Sequence, residues 1–157
     1  MEMTVAFPGG SRVDAAYGEF VIRTDQPVHT GGGGTAPAPF DYFIASLGTC
    51  AGFYVLSFLR RRDLPVDDAR LTVRTVKDPD GGRLSRVTIR VDLPETFPEK
   101  YRKAILNAVK LCNVKRALMD PPRIETVVEI GGQVVATEES GGPDSERHPV
   151  AAVDHTA

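Results

Sequence analysis

Short apolar runs separated by turn residues open the chain. Residues 4–7, 12–16 and 20–24 are set apart by Pro8-Gly9-Gly10 and by Gly18, which is the spacing of a three-stranded antiparallel meander. Gly31 to Gly34 reads as a flexible loop. Pro37 and Pro39 then suit the first turn of a helix, where a missing N–H leaves no hydrogen bond unmade, and the helix runs over about residues 39–62. Arg60, Arg61 and Arg62 complement the negative end of its dipole, and Leu64-Pro65 stops it. Residues 71–76 and 84–93 alternate, with Val87, Ile89, Val91 and Leu93 on one face and Thr88, Arg90 and Asp92 on the other. They predict a hairpin turned at Asp80-Gly81-Gly82. Pro98-Glu99 opens a second helix, whose Tyr101, Ile105, Ala108, Val109 and Cys112 recur at helical spacing. A short helical piece through Val114, Leu118 and Met119 follows, and residues 124–130 form the last strand expected. The pattern is α+β without internal repeats, a single domain over residues 1–135 with a disordered tail over 136–157.

The long helix is apolar nearly all round, with Tyr42, Phe43, Ile44, Leu47, Phe53, Tyr54, Val55, Leu56, Phe58 and Leu59 pointing in every direction. Such a helix must be enclosed on all sides, and one small sheet cannot do it, so a second subunit is expected to supply the missing wall. Gly48 and Gly52 lie on one face, where another backbone can approach closely. Cys50 points roughly 200° away from that seam, towards the hairpin or the second helix. The eighteen uncharged residues 42–59, followed by three arginines, also meet the minimum description of a membrane span. Ser46, Gly48, Thr49, Gly52 and Ser57 dilute the run, and the reading preferred is a helix buried by protein.

Composition narrows the class. With 41% apolar and 25% charged residues, no tryptophan and two cysteines, the 157-residue chain is neither collagen, nor a disulfide scaffold, nor wholly disordered. A formal charge of -2 provides no general attraction to nucleic acid or an anionic membrane. The acidic start, Met1-Glu2-Met3-Thr4, lacks the basic segment of a secretory signal, so a cytoplasmic location is expected. Gly31 to Gly34 lacks the Lys-Ser or Lys-Thr of a phosphate loop, His29 reads as a solvated side chain, and Arg60 to Arg62 reads as a solvated helix end.

Cys50 and Cys112 stand 62 residues apart, which fits neither a short-spaced zinc site nor a Cys-x-x-Cys redox motif. As small apolar residues they suit a core. As chemistry, Cys112 falls at a break between helical pieces, where a helix N-terminus stabilises a thiolate, while Cys50 in mid-helix needs a cation brought from elsewhere. Asp41, in the first turn of the long helix, complements the dipole and can hold an arginine in place.

The run Pro39-Phe40-Asp41-Tyr42-Phe43-Ile44-Ala45-Ser46-Leu47-Gly48-Thr49-Cys50 resembles the signature of the OsmC/Ohr family, the osmotically inducible and organic-hydroperoxide-resistance proteins. Cys112-Asn113-Val114-Lys115-Arg116-Ala117-Leu118 resembles that family's second cysteine segment. The element order agrees over about residues 3–130. The resemblance implies an OsmC-like fold, an intertwined homodimer and a peroxidase for organic hydroperoxides. Cys50 would attack the O–O bond, Cys112 would resolve the sulfenic acid as a disulfide, and an external dithiol would reset the pair with no metal or cofactor. It also implies an arginine beside the thiolate, held by an acid. Asp41 stands at the anchor position, where members usually carry glutamate, and Arg12 in Gly-Gly-Ser-Arg is the first candidate for the arginine, Arg23 the second. The alternative on the same fold is a redox-sensing or small-ligand-binding protein without turnover.

Overall fold

The computed structural model describes residues 1–79 and 82–142 of the 157-residue chain. They fall into two compact units, Met1–Cys112 and a second that starts at Asn113.

The first unit begins with an antiparallel sheet of order β1-β2-β3, over Thr4–Gly9, Arg12–Tyr17 and Phe20–Ile22. The predicted meander is present, with Thr4 opposite Ala16 and Ala16 opposite Val21. After a single turn of 3-10 helix at Val28–Thr30, helix α1 spans Pro39–Arg60. Its start is held by half of a capping box: Ala38 has no side-chain acceptor, but Asp41 at the third helical position accepts the Ala38 N–H at 2.9 Å. Strands β4 (Arg70–Lys77) and β5 (Leu84–Asp92) pair antiparallel, Val73 opposite Ile89. The alternation read from sequence is realised: Leu71, Val73, Val87, Ile89 and Val91 are half-buried, whereas Arg70, Thr72, Arg74, Thr88 and Arg90 are exposed. The turn expected between them falls partly on Asp80 and Gly81, outside the described residues. A 3-10 turn at Glu99–Tyr101 leads into α2, Arg102–Lys110.

The core of this unit is the stripe Leu47, Ala51, Val55, Phe58 and Leu59 of α1, with Ile105 of α2. Leu71, Val91, Leu93 and Phe97 pack around its C-terminal half. By length and apolar content α1 could cross a membrane; here it is the helix on which the hairpin and α2 are built. Among the described residues one stripe is covered, and Phe53 keeps 64% of its surface exposed. The Gly48 and Gly52 face does not await another backbone. It receives β4, since a Cβ on Gly48 would lie 2.8 Å from Cγ2 of Val73.

The second unit holds α3 (Asn113–Met119) and an antiparallel hairpin of β6 (Arg123–Ile130) and β7 (Gln133–Gly141). The expected tail therefore begins too early, because residues 136–141 are strand: Ala136 pairs with Val128 and Ser140 with Ile124. Glu138, Glu139 and Ser140 look like tail in composition, but Gly131-Gly132, both at positive φ, make a tight turn that returns the chain along β6. Backbone pairing, indifferent to those polar side chains, does the rest. Residues 143–157 of the expected tail lie outside the described residues.

Candidate functional site

Helices α1 and α2 pack against each other. The Phe58 and Tyr101 rings meet edge to face at 5.9 Å, and Ile105 joins Val55, Phe58 and Leu59 in the buried cluster. Arg62 lies over both rings, 3.8 Å from Phe58 and 5.3 Å from Tyr101, while donating to the Phe58 carbonyl at 3.3 Å. Between the helices runs a groove of about 540 Å³, with Phe53, Tyr54 and Leu111 among its lining residues and Arg61 and Arg62 among the polar ones.

Cys50 lies on α1, one turn before the groove-lining Tyr54. Tyr54, Ser57 and Arg61 follow it at four, seven and eleven residues, on one side of the helix, and all three line the groove. Cys112 follows Leu111, also a lining residue. Cys50 is half-buried, Cys112 fully buried, and both are thiols. Cys112 closes α2, its N–H directed to the Val109 carbonyl at 3.3 Å, and it immediately precedes α3 in the chain.

The residues expected to support a thiolate are engaged elsewhere. Arg12 donates from Nε to the Gly9 carbonyl at 3.3 Å and from a terminal nitrogen to the Pro8 carbonyl at 3.1 Å, clamping the β1–β2 turn. Asp41 caps α1. The ion pairs among the described residues are Arg90–Asp92, Arg102–Glu99 and Arg123–Glu139, so Arg12 and Asp41 do not pair. Arg23 contributes its carbonyl, which accepts the Tyr42 hydroxyl at 2.9 Å and ties the end of the meander to α1. His29 sits exposed in the 3-10 turn.

One buried carboxylate was not among the sequence candidates. Asp25, 2% exposed, accepts the Thr35 N–H at 3.0 Å, the Thr35 hydroxyl at 2.7 Å and the Gln26 N–H at 2.8 Å. The bonds from Thr35, backbone first and hydroxyl second, outweigh burial and lower its pKa to about 2. The glycine run wraps around this residue rather than hanging as a loose loop: Gly34 donates to the Gln26 carbonyl at 3.1 Å, and a Cβ on Gly32 would stand 1.8 Å from that oxygen. The signal in the sequence was an acid at a strand end just ahead of a proline, with a threonine closing the glycines. The loop it locks delivers the chain to α1.

An α+β chain whose central helix bears a half-buried cysteine, followed by a second helix with a buried cysteine just beyond its end, is a defined architecture. Residues 31–127 match the model of the family described as OsmC-like protein, and the chain belongs to that family. Among solved structures, one from Psychrobacter arcticus, described by name as an osmotic stress induced and detoxification response protein, is similar with 26% identity and a TM-score of 0.63. That likeness covers 73% of this chain and 85% of that one. An OsmC-like protein from Mycoplasma pneumoniae shares the fold at 18% identity and a TM-score of 0.61, covering 75% and 86%. No curated protein matches the chain in sequence.

Proposed function

We propose that this chain is a cytoplasmic, homodimeric thiol peroxidase for organic hydroperoxides, with Cys50 as attacking and Cys112 as resolving thiol. The observation that supports the reading is the packing of α2 on α1, with Ile105 buried against Val55, Phe58 and Leu59, while Cys50 stands within the first helix and Cys112 just after the second. The Cys50 thiolate attacks the terminal oxygen of R–O–O–H. The O–O bond breaks, RO⁻ takes a proton and leaves as the alcohol, and Cys50 becomes a sulfenic acid. Cys112 attacks that sulfur, a disulfide forms, and the hydroxyl departs as water. An external dithiol reduces the disulfide by two electrons, and no metal or organic cofactor enters the cycle. The dimer is supported by the uncovered apolar sides of the described elements, with Phe7 82%, Phe20 70% and Phe53 64% exposed.

A second reading, redox sensing or ligand binding without turnover, is favoured by one observation. The guanidinium of Arg12 and the carboxylate of Asp41 bond to backbone groups of their own turns.

Titration of the reduced protein with cumene hydroperoxide and hydrogen peroxide, following thiols and dithiol-dependent turnover, separates the readings. The peroxidase loses both thiols rapidly, turns over, and traps a sulfenic acid in Cys112→Ser. A disulfide without sustained turnover indicates the sensor, and slow, unselective oxidation of both cysteines rejects a redox role.

A further inference from the structure

The β4–β5 hairpin turns one face to α1, where Val73 meets Gly48 and Leu71 meets Gly52, and the other to solvent. The register decides what the outer face displays. Arg70, Thr72, Arg74 and Val76 of β4 stand opposite Asp92, Arg90, Thr88 and Arg86 of β5, and all but the half-buried Asp92 are exposed. Four arginines therefore share a ribbon about 20 Å long with one carboxylate, Asp92, which pairs with Arg90 at 2.6 Å. Asp67, Asp68 and Asp78 lie outside the paired strands. The guanidinium groups of Arg70, Arg74 and Arg86 hold no hydrogen bond or ion pair with any described residue. An ordinary solvated strand face mixes both signs, because like charges on neighbouring strands repel. Here Arg86, Arg74 and Arg90 follow one another as diagonal cross-strand neighbours, roughly 7–8 Å apart at the backbone. An anion lying along the ribbon relieves that repulsion.

The chemistry of the face selects its partner. Three open arginine forks, with the Thr72 and Thr88 hydroxyls among them, are the groups that hold phosphate oxygens. None of the eight residues is aromatic, so the bases of a single strand would find nothing to stack on. A membrane surface calls for an apolar anchor and a plane. Val76 is the one large apolar side chain on the face, and the strong twist of a two-stranded ribbon keeps the arginines off a common plane. Such a ribbon does follow a duplex, whose B-form major groove admits it. We propose that the outer face of β4–β5 binds the backbone of duplex DNA without regard to sequence, Arg70, Arg74 and Arg86 each resting on a phosphate. The ribbon matches about six base pairs in length. With a net charge of -2 the chain as a whole adds no attraction, so binding is local, weak and sensitive to salt. Neither cysteine takes part, and the peroxidase reading stands or falls without this surface.

Fluorescence anisotropy of a labelled duplex of about 20 base pairs, titrated with the reduced full-length protein, reads the binding. Three phosphate contacts give a slope of about -2.7 in log K against log salt, so raising salt from about 50 to about 200 mM should weaken binding about 40-fold. Arg74→Gln combined with Arg86→Gln removes two contacts and should reduce that loss to about fourfold, with weaker binding already at the lower salt. Arg60→Gln combined with Arg61→Gln makes the same change of charge at the end of α1 and should leave the salt dependence as in wild type. If the hairpin variant does not fold, the Nε–H resonances of Arg70, Arg74 and Arg86 in the wild type should shift on adding duplex. No binding at the lower salt, a hairpin variant with wild-type salt dependence, an equal effect of the helix-end variant, or unmoved arginine resonances would overturn the proposal. So would phosphatidylserine vesicles or polyglutamate that bind at least as tightly as the duplex at equal charge concentration, since the face would then serve a membrane or an acidic protein.

Discussion

Gly48 of α1 lies directly under Val73 of β4: a Cβ at position 48 would stand 2.8 Å from Cγ2 of Val73, closer than real methyl contacts. One turn on, the nearest atom to a Cβ at Gly52 is Cδ1 of Leu71 at an ordinary 4.0 Å. The two glycines share a helix face and differ in what they permit. Gly48→Ala gains about 1 kcal/mol of helix propensity but forces a β-branched side chain, stiff in its strand, to shift, which costs about 1–3 kcal/mol. It should be net destabilising, whereas Gly52→Ala should stabilise by up to about 1 kcal/mol. Urea unfolding of both variants checks the pair, and equal effects would mean that the seam is looser than described.

Asp25 makes stability depend on acid. Its folded-state pKa, about 2, lies below the ordinary 3.8, so the carboxylate's contribution is complete above about pH 4 and disappears as pH falls towards 2. Asp25→Asn keeps an acceptor but removes the titration. The variant should be less stable at neutral pH and lose less stability between pH 4 and 2 than wild type. Circular dichroism across that range, with superimposable acid profiles as the contrary result, decides it.

Arg62 is held over Phe58 and near Tyr101. Arg62→Ala should cost about 1–2 kcal/mol through lost cation–π contact and lost stem packing, with Arg62→Lys in between. Thermal unfolding in low and high salt tests the cause, since a stacked contact survives screening better than an exposed ion pair.

Asp41 separates two roles. As the cap seen here, Asp41→Ala removes the acceptor for the Ala38 N–H and should cost about 1 kcal/mol while the Cys50 alkylation rate follows the same pH profile. As the anchor of an activating arginine, it would shift that profile. Iodoacetamide kinetics on Cys112→Ser, with and without Asp41→Ala, read the difference directly.

Most of the first unit was legible because its elements carry local signals. Proline entry and arginine exit mark α1, and strict alternation marks β4 and β5. β7 was not legible. Its Glu138, Glu139 and Ser140 are all exposed, so no buried face imposed a pattern, and only pairing with β6 makes it a strand. Arg12 and Asp41 were read by position within a resembling motif, but side-chain direction depends on which carbonyl or amide lies nearest. Both turned to their own turns. Asp25 escaped because its partners, Thr35 above all, come from the far side of a loop closed only in three dimensions.

The two cysteines show where each kind of information ends. Sequence by itself determined where they stand, mid-helix for Cys50 and a break between helical pieces for Cys112, together with the family to which those segments point. Helical periodicity and capping are local and written in residue order. That α2 packs on the C-terminal half of α1 was decided by burial of Val55, Phe58 and Leu59 against Ile105. That contact joins residues more than forty positions apart, and no local spacing encodes it.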